Sequence, residues 1–201
     1  FVDGAPFLAL GIQIDYLKTT KPADFEPYLP HVERLGCNTL FFAVRWLHAE
    51  PVEGAFDFAA LDHALARCRE LKLKMALLWF GTNQGGESRC APEWVNADRA
   101  GFPRMRDAAG TELNGLCPSA PGTLAAERRA FERLLSHVAE ADAADGTVIL
   151  LQLENEPCYR MGHGSERRAV LDAWQERCFC ADCTGRAEAS GLSDFDFGVQ
   201  A

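Results

Sequence analysis

Residues 147–158, TVILLQLENEPC, decide how this sequence folds. Residues 147–153 form an almost unbroken apolar run that begins with β-branched side chains and follows the turn pair Asp145-Gly146. The run is too short for a typical helix and suits a strand covered on both faces, as in a parallel α/β sheet. Pro157 then prevents the strand from continuing as a central strand. We therefore predict a buried strand that carries three polar residues at its carboxyl end: Glu154, Asn155 and Glu156.

The rest of the chain alternates between short apolar runs and amphipathic stretches. Three further strands are predicted at residues 7–12, 39–44 and 75–80, so the strand above is the fourth. Helices are predicted at residues 24–35, 59–71, 123–141 and 165–174. This alternation predicts a parallel sheet, either an open doubly wound sheet or a (β/α) barrel. No Gly-rich phosphate turn follows the first strand, where a dinucleotide-binding fold needs one, so the barrel is favoured.

The length of the chain limits how much of a barrel it can form. A complete (β/α)8 barrel takes about 250 residues, and four strand–helix units in 201 residues correspond to about half of one. We expect an α/β fold of the TIM-barrel class in which this chain covers about the first four units. Because a half-barrel exposes sheet edges, we also expect either a homo-oligomer or a need for the missing carboxyl-terminal half.

Composition argues against two classes of partner. The 29 acidic residues outnumber the 20 Lys and Arg residues, the formal net charge is −9, and no basic cluster could follow a phosphate backbone. Nucleic acid is therefore not an expected partner. No apolar run reaches the roughly 18 residues that would indicate a membrane-spanning helix, so no membrane partner is expected either.

Three of the eight cysteines form the pattern Cys178-x-Cys180-x-x-Cys183. This spacing is too tight for separate disulfides and suits thiolates that converge on one metal ion. The alternative is a group of buried or reactive thiols without a metal. Reduced thiols at a metal site favour a cytoplasmic location.

Three stretches of the chain, together with the LENE sequence at residues 153–156, carry a resemblance to known enzymes. They are VDGAPF at 2–7, WLHAEP at 46–51 and EGAFDF at 53–58. The combination resembles the retaining glycoside hydrolases built on (β/α)8 barrels and is most similar to β-galactosidases of families 42 and 35. The resemblance implies that residues 1–201 are the N-terminal half of a catalytic domain, with a cysteine-rich loop at 178–183.

The resemblance also implies a reaction and the residues that perform it. Glu156 would be the general acid/base, and Asn155 would contact the 2-hydroxyl of a terminal β-linked sugar that is cleaved with retention, without an organic cofactor. The alternative is that the strand-end carboxylates are solvated loop residues. In the family the nucleophile is a Glu at the end of the seventh strand, and no residue here matches it. We therefore expect this chain alone to be inactive.

A fourth metal ligand is implied by the same resemblance. Cys117 looks like the isolated cysteine that family-42 enzymes place before the fourth strand. Four thiolates form a closed tetrahedral site, which is typical of structural zinc. Such a site would link the loop after the third strand to the loop after the fourth.

Several strand-end side chains are candidates for contact with a sugar. The aromatic rings of Trp46 and Trp79 could stack on sugar rings, although each could equally belong to the core. Arg45 could orient the substrate or Glu156. Asn83 and its neighbour Gln84 lie among glycines after the third strand, where their amides could bind sugar hydroxyls.

Two other functions stay open at this point. The chain could be a non-catalytic carbohydrate-binding or interaction module derived from the barrel. It could also be a structural zinc protein whose strand-end carboxylates have no catalytic role. Binding of galactose would separate the first two functions from the third.

Overall fold

The computed structural model describes residues 1–85, 87–155 and 178–191. The chain divides into two compact units. Unit 1 comprises Phe1–Phe80 and Ala130–Glu154, and unit 2 comprises Gly81–Arg129 and Asn155–Ala201. The predicted helix at residues 165–174 lies outside the described residues.

The elements follow one another in a β/α order. The strands are β1 (Gly11–Gln13), β2 (Thr39–Arg45), β3 (Lys74–Phe80), β4 (Arg104–Arg106), β5 (Glu112–Leu116) and β6 (Val148–Gln152). The helices are α1 (Pro22–Phe25), α2 (Leu29–Arg34), α3 (Trp46–Ala49), α4 (Ala59–Glu70), α5 (Glu93–Ala97), α6 (Pro121–Ala141) and α7 (Ala181–Ser190). In the described part of the chain, no helix has both the length and the apolar character needed to cross a membrane.

Unit 1 is built on a four-stranded parallel sheet in the order β1-β2-β3-β6. The two central strands pair along their whole length, from Thr39 opposite Lys74 to Arg45 opposite Phe80. The strands lie side by side in the order in which they occur along the chain. A doubly wound sheet reverses its strand order at a switch point, so this order favours the predicted barrel arrangement.

The core of unit 1 lies on both faces of the central strands. On β3, every residue from Met75 to Phe80 is buried, as expected for a parallel strand with cover on both faces. Phe42 of β2 packs edge-on against Phe25 of α1, with ring centroids 5.2 Å apart. Cys68 of α4 is also buried, and burial raises the pKa of its thiol to about 12. It therefore acts as the small apolar residue that its place on the helix predicts.

The predicted burial of the fourth strand is wrong. The strand is present as β6, but Leu150, Leu151 and Leu153 are 49%, 40% and 63% exposed. Among the described residues β6 pairs only with β3, so it lies at an edge of the sheet and lacks the neighbour that a central strand would have. The apolar run correctly indicated a strand, but it could not indicate that this strand would lack cover.

The first strand is also shorter than predicted. It begins at Gly11 rather than at residue 7. The reason is that the Asn38 side chain forms hydrogen bonds with backbone groups of the residues before Gly11. The Asn38 amide donates to the Leu8 carbonyl and accepts from the Leu10 amide, each at 2.9 Å. The backbone is therefore satisfied by a side chain before parallel pairing begins.

Helix 24–35 is interrupted where the sequence places prolines. It divides into α1, a 3-10 turn at Glu26–Tyr28, and α2. Pro27 and Pro30 lack the backbone N–H that an unbroken α-helix needs in its interior, so each falls at the beginning of a new segment.

Unit 2 contains structure that the sequence did not predict. No strand or helix is predicted between residues 80 and 123, whereas this stretch includes α5 and an antiparallel hairpin of β4 and β5. The hairpin strands are short and contain no apolar run: β4 reads Arg-Met-Arg and β5 reads Glu-Leu-Asn-Gly-Leu. Gly110 has φ +85° in the hairpin turn, and the Asp107 carboxylate accepts the Thr111 amide at 2.7 Å. The turn is therefore fixed by local polar chemistry, which hydrophobic periodicity does not detect.

Candidate active site and metal centre

The four parallel strands of unit 1 end at the same edge of the sheet, where α/β barrels place their chemistry. The candidate side chains lie at the ends of β2, β3 and β6 and in the loops that follow them. Glu156, the predicted acid/base, lies outside the described residues. The residues that come directly before it, Glu154 and Asn155, are described, and they show how the end of the fourth strand is built.

The end of β2 is organised by a buried carboxylate. Glu50 accepts a hydrogen bond from the Trp46 indole Nε1 at 2.8 Å and another from the Gly54 amide, also at 2.8 Å. Gly54 has φ +76°, which glycine adopts without strain in the turn that follows Pro51. Glu50 is fully buried, so both of its oxygens serve to join α3 to this turn. This geometry gives a structural reason for the spacing of Trp, Glu and Gly in the sequence motif.

Arg45, at the last position of β2, contacts a hydroxyl, an imidazole and an aromatic ring. Its Nη2 donates to the Thr20 hydroxyl at 3.0 Å and lies 2.6 Å from His48 Nε2, and its guanidinium lies over the Tyr16 ring at 5.7 Å. Burial lowers the pKa of His48 to about 4, and repulsion from Arg45 and Lys21 acts in the same direction. His48 is therefore a neutral acceptor at pH 7, and it orients the guanidinium.

The two tryptophans predicted to stack on sugars are buried. Trp46 and Trp79 are both 0% exposed. The Trp46 indole is engaged with Glu50, and the Trp79 ring packs against Phe131 of α6 with centroids 5.8 Å apart. Neither ring presents a face to solvent among the described residues. Direct stacking on a sugar stays a prediction, and the packing supports the core interpretation that the sequence left open.

In unit 2, Asn83 has a backbone partner for each end of its amide. Its Nδ2 donates to the Leu116 carbonyl and its Oδ1 accepts the Leu116 amide, both at 2.9 Å. Asn83 is fully buried, so it joins the loop after β3 to strand β5. Its role as a sugar contact stays a prediction.

Asn155 contacts Gln84, which is the residue next to Asn83. Its Nδ2 donates to Gln84 Oε1 at 3.0 Å, which brings together the loops that follow the third and fourth strands. Sequence position alone could not choose between Asn83 and Gln84, because the two are adjacent. Which amide faces inward and which faces Asn155 depends on the backbone of the loop.

The backbone just before Asn155 has an unusual conformation. Glu154 has φ +59°, a left-handed value that non-glycine residues rarely adopt. The Gln152 side chain donates to the Glu154 carbonyl at 2.9 Å and so supports the turn. Such strained positions are concentrated at functional sites. The chain therefore turns sharply at the end of the fourth strand, immediately before the predicted catalytic pair.

The four cysteines predicted as metal ligands come together in unit 2. Their sulfur atoms all lie within 4.8 Å of one another, and the Cys117 sulfur is 3.4 Å from Cys183 and 3.5 Å from Cys180. All four are buried, and none is in a disulfide. Four sulfurs bound to one zinc ion at about 2.3 Å lie about 3.8 Å apart in a tetrahedron, so the cluster has the size and donor set for such an ion.

The protonation of the cluster also favours a cation. Hydrogen bonds from Cys117 and Cys183 hold the pKa of Cys178 well below the usual thiol value. Hydrogen bonds to Cys178 and Cys183 raise the pKa of Cys117. One thiolate is thus stabilised by protons on its neighbours, and all four can ionise together only with positive charge between them. The cluster could hold a metal ion.

The cysteines connect α7 to the hairpin. Cys117 follows β5, Cys178 and Cys180 come immediately before α7, and Cys183 lies in its first turn. The Phe179 amide donates to the Arg106 carbonyl of β4 at 2.9 Å, which fixes the segment beside the hairpin. Within unit 2, the cluster therefore joins residues far apart in the sequence.

Comparison with known proteins identifies related sequences and folds. A family model described as Beta-galactosidase, glycoside hydrolase family 42, matches residues 21–179. No curated protein matches the chain. Among solved structures, the polyextremophilic β-galactosidase of the Antarctic haloarchaeon Halorubrum lacusprofundi is 21% identical with a TM-score of 0.57, and the match covers 91% of this chain and 25% of that one.

Two further structures give the same result. The β-galactosidase of the psychrophilic Marinomonas ef1 is 16% identical with a TM-score of 0.59, covering 92% of this chain and 26% of that one. The exo-β-1,4-mannosidase Op5Man5 of Opitutaceae bacterium strain TAV5 is 18% identical with a TM-score of 0.58, covering 92% and 28%. The chain thus spans about a quarter of the length of these structures. At these identities the likeness shows the fold, which confirms a TIM barrel of which this chain supplies the first four strands.

Proposed function

Because this chain belongs to glycoside hydrolase family 42, the β-galactosidase family, we propose that residues 1–201 form the N-terminal half of a glycosidase catalytic domain. The whole enzyme would cleave terminal β-linked sugars, galactosides first among them, with retention of configuration. The observation that carries this proposal is the family match over residues 21–179, which includes the end of the fourth strand. Its substrate partner would be a carbohydrate, and no organic cofactor is proposed.

Glu156 is the proposed general acid/base. It follows Asn155 directly, and Asn155 comes after a turn that is set by the left-handed backbone of Glu154. A retaining glycosidase needs a second carboxylate about 5–5.5 Å from the first to act as nucleophile. Glu50 does not supply it, because both of its oxygens are engaged by Trp46 and Gly54. The proposal places the nucleophile outside these 201 residues.

Asn155 is the proposed contact to the sugar's 2-hydroxyl. The hydrogen bond from its Nδ2 to Gln84 supports this role, because it fixes the plane of the amide and directs Oδ1 away from Gln84. Arg45, held by Thr20 and His48, is proposed as a second polar contact. Burial of the remaining three candidates supports a structural role for each of them rather than direct contact with the sugar: Trp46, Trp79 and Asn83.

The metal proposed for the cysteine cluster is zinc in a structural role. Cys117, Cys178, Cys180 and Cys183 would hold it, and four protein thiolates leave no open position for substrate. The ion would supply the positive charge that allows the four sulfurs to be thiolates at once. The chain's own contribution is the hairpin and α7, which bring the ligands together.

Substitution of Glu156 in the enzyme that carries this domain tests the proposed chemistry. Glu156→Gln is expected to slow hydrolysis of lactose by roughly 10²- to 10⁴-fold, the usual contribution of general acid–base catalysis. Hydrolysis of a nitrophenyl β-galactoside should slow less, because nitrophenolate leaves without a proton. Glu154→Gln is the matched control and should keep most of the activity.

The outcomes separate the proposed enzyme from its alternatives. Equal losses in the two variants, or full activity in Glu156→Gln, would contradict the assignment. Galactose binding without turnover of either substrate by the wild-type protein would favour a carbohydrate-binding module. If the wild-type protein showed neither galactose binding nor turnover, the structural zinc protein would be the remaining alternative.

A further inference from the structure

The loop that follows β3 in unit 2 is attached to the hairpin at two points. At the first, the buried Asn83 amide pairs with both backbone groups of Leu116. At the second, the Ser88 hydroxyl donates to the Asn114 carbonyl of β5 at 3.3 Å and accepts from Arg104 Nη1 of β4 at 2.5 Å. Asn83 and Ser88 therefore have defined positions beside the two hairpin strands.

Arg104 is well suited to hold Ser88 in place. Its side chain is buried, with 6% of the residue exposed, and its Nη2 donates to Asn96 Oδ1 of α5 at 2.8 Å. A planar guanidinium donates in fixed directions, so it sets the relative positions of its acceptors. One side chain thus joins β4, α5 and the loop after β3.

Gln84 lies between these two attachment points, and its backbone is held as well. Its amide donates to the Glu87 carbonyl at 2.8 Å, and the Glu87 amide donates to the Gln84 carbonyl at 3.3 Å. A side chain on a fixed backbone loses less conformational entropy when it binds a partner, because only its own torsions remain to be ordered. The Gln84 side chain is therefore preorganised by the loop that carries it.

The partner of that side chain is Asn155. Asn155 Nδ2 donates to Gln84 Oε1 at 3.0 Å, and both residues are half-buried. The last torsion of an asparagine side chain is broad and roughly two-fold, so an amide without an anchor could present either its oxygen or its nitrogen to a ligand. The hydrogen bond to Gln84 selects one of these orientations.

We propose that Gln84 is a positioning residue that holds the Asn155 amide for the sugar's 2-hydroxyl, and so sets how strongly the enzyme prefers substrates with this hydroxyl. The inference rests on the glycosidase function proposed above, in which Asn155 makes that contact. Gln84 acts through Asn155, whereas its sequence position indicated a direct contact with the sugar. Hydrogen bonds to the 2-hydroxyl strengthen in the transition state of retaining glycosidases, so a misplaced amide should lower kcat/KM.

A nitrophenyl β-galactoside and its 2-deoxy analogue test the proposal in the enzyme that carries this domain. The measured quantity is the ratio of kcat/KM for the two substrates, which does not depend on the fraction of protein that is folded. Gln84→Met keeps the length of the side chain but removes the acceptor, and it should lower the ratio about two- to tenfold. Asn114→Ala removes an exposed amide elsewhere in unit 2 and should leave the ratio unchanged.

The conservative variant Gln84→Glu shows whether the acceptor oxygen is what matters. It keeps an oxygen that can accept from Asn155, so the ratio should stay within about twofold of the wild-type value. The added charge can shift the pH optimum, so each variant is compared at its own optimum. If Gln84→Glu lowered the ratio as far as Gln84→Met does, the proposal would be overturned.

The double variant shows whether Gln84 acts through Asn155. Asn155→Ala should lower the ratio by roughly 100-fold, and Gln84→Met should lower it no further in that background. An unchanged ratio in Asn155→Ala would contradict the proposed sugar contact of Asn155, and this inference with it. If Asn155→Ala lowered the ratio but Gln84→Met alone did not, or if the two effects added, only the role of Gln84 would be overturned.

Discussion

The two units of this chain have cores of different kinds. Unit 1 buries large apolar side chains around its parallel sheet, among them Phe42, Leu77 and Trp79. The buried cluster around the four cysteines in unit 2 consists mainly of small and sulfur-containing residues: Met105, Cys117, Ala120, Cys178, Cys180, Cys183 and Ala187.

This difference in composition implies a difference in the source of stability. Burial of one Leu or Phe side chain contributes about 1.5–3 kcal/mol, so the sheet of unit 1 can be stabilised by apolar contacts alone. Alanines and cysteines bury much less apolar surface. Structural zinc contributes roughly 10–16 kcal/mol in small zinc-binding domains, which could stabilise the hairpin and α7 in unit 2. We therefore expect metal removal and core truncation to affect different units.

Metal removal should give the largest effect. Treatment with a chelator, or Cys183→Ser, should abolish the protection of β4, β5 and α7 against hydrogen exchange and leave that of β2 and β3 intact, because the ligands lie within unit 2. Loss of one zinc per chain should be measurable by elemental analysis. Cys37→Ser is the matched control, since Cys37 lies outside the cluster and is half-buried. Protein purified without chelator that contains no stoichiometric zinc would refute the proposal.

Truncation of the sheet core should give the converse result. Leu77→Ala on β3 removes a fully buried side chain and should lower the free energy of unfolding of unit 1 by about 2–5 kcal/mol. Zinc content should stay unchanged. Leu8→Ala, at a residue 73% exposed, should change stability by less than about 0.5 kcal/mol. Loss of zinc together with the unfolding of unit 1 would show that the two units are not stabilised independently.

Removal of the buried Glu50 carboxylate should lower the free energy of unfolding less than truncation of the core does, but more than removal of a surface charge does. Glu50→Ala leaves the Trp46 indole and the Gly54 amide without their acceptor and should cost about 1–3 kcal/mol, with a change in tryptophan fluorescence. Glu50→Gln keeps one acceptor oxygen and should cost less. Glu33→Ala, at an exposed residue, serves as the control for removal of a carboxylate. If Glu50→Ala changed neither the stability nor the tryptophan fluorescence, water would have replaced the carboxylate as the acceptor.

The pH dependence of unit 1 should give the smallest effect. The pKa of His48 is lowered from 6.5 to about 4, so between these values the unfolded chain binds a proton that the folded chain does not. Stability from this group is present above pH 6.5 and is lost as the pH falls towards 4. With solvent screening of a partly buried ring, the loss should be about 1 kcal/mol. Urea unfolding at pH 7 and pH 5 should show this loss in the wild-type protein and in His31→Gln, but not in His48→Gln.

The sheet was predictable because its signal is local. The apolar runs placed β2 and β3 to within one residue at each end, and the apolar stripe placed α6 to within two. Covered parallel strands are continuous apolar segments, which stand out from the polar sequence between them. The exposure of Leu150 was not predictable, because cover depends on neighbours elsewhere in the chain.

The surroundings of the site were less predictable, since they depend on contacts between distant residues. Spacing indicated three of the cysteines and only the family resemblance indicated Cys117, which lies 61 residues before Cys178. The structure brings all four together. The pairing of Asn83 with Leu116 belongs to a hairpin whose polar strands carry no periodic signal. Position after a strand likewise cannot show which way a ring points, which is why Trp79 could be placed at a strand end but not in the core.

The Trp46–Glu50–Gly54 arrangement has a consequence for how families of this kind are recognised. These residues are joined by the hydrogen bonds of Glu50, so selection on folding alone would retain them. An ancestral enzyme that lost its catalytic carboxylate could drift to a new role and still display them unchanged. A match to this motif therefore reports common descent and architecture, whereas continued catalysis has to be established at Glu156.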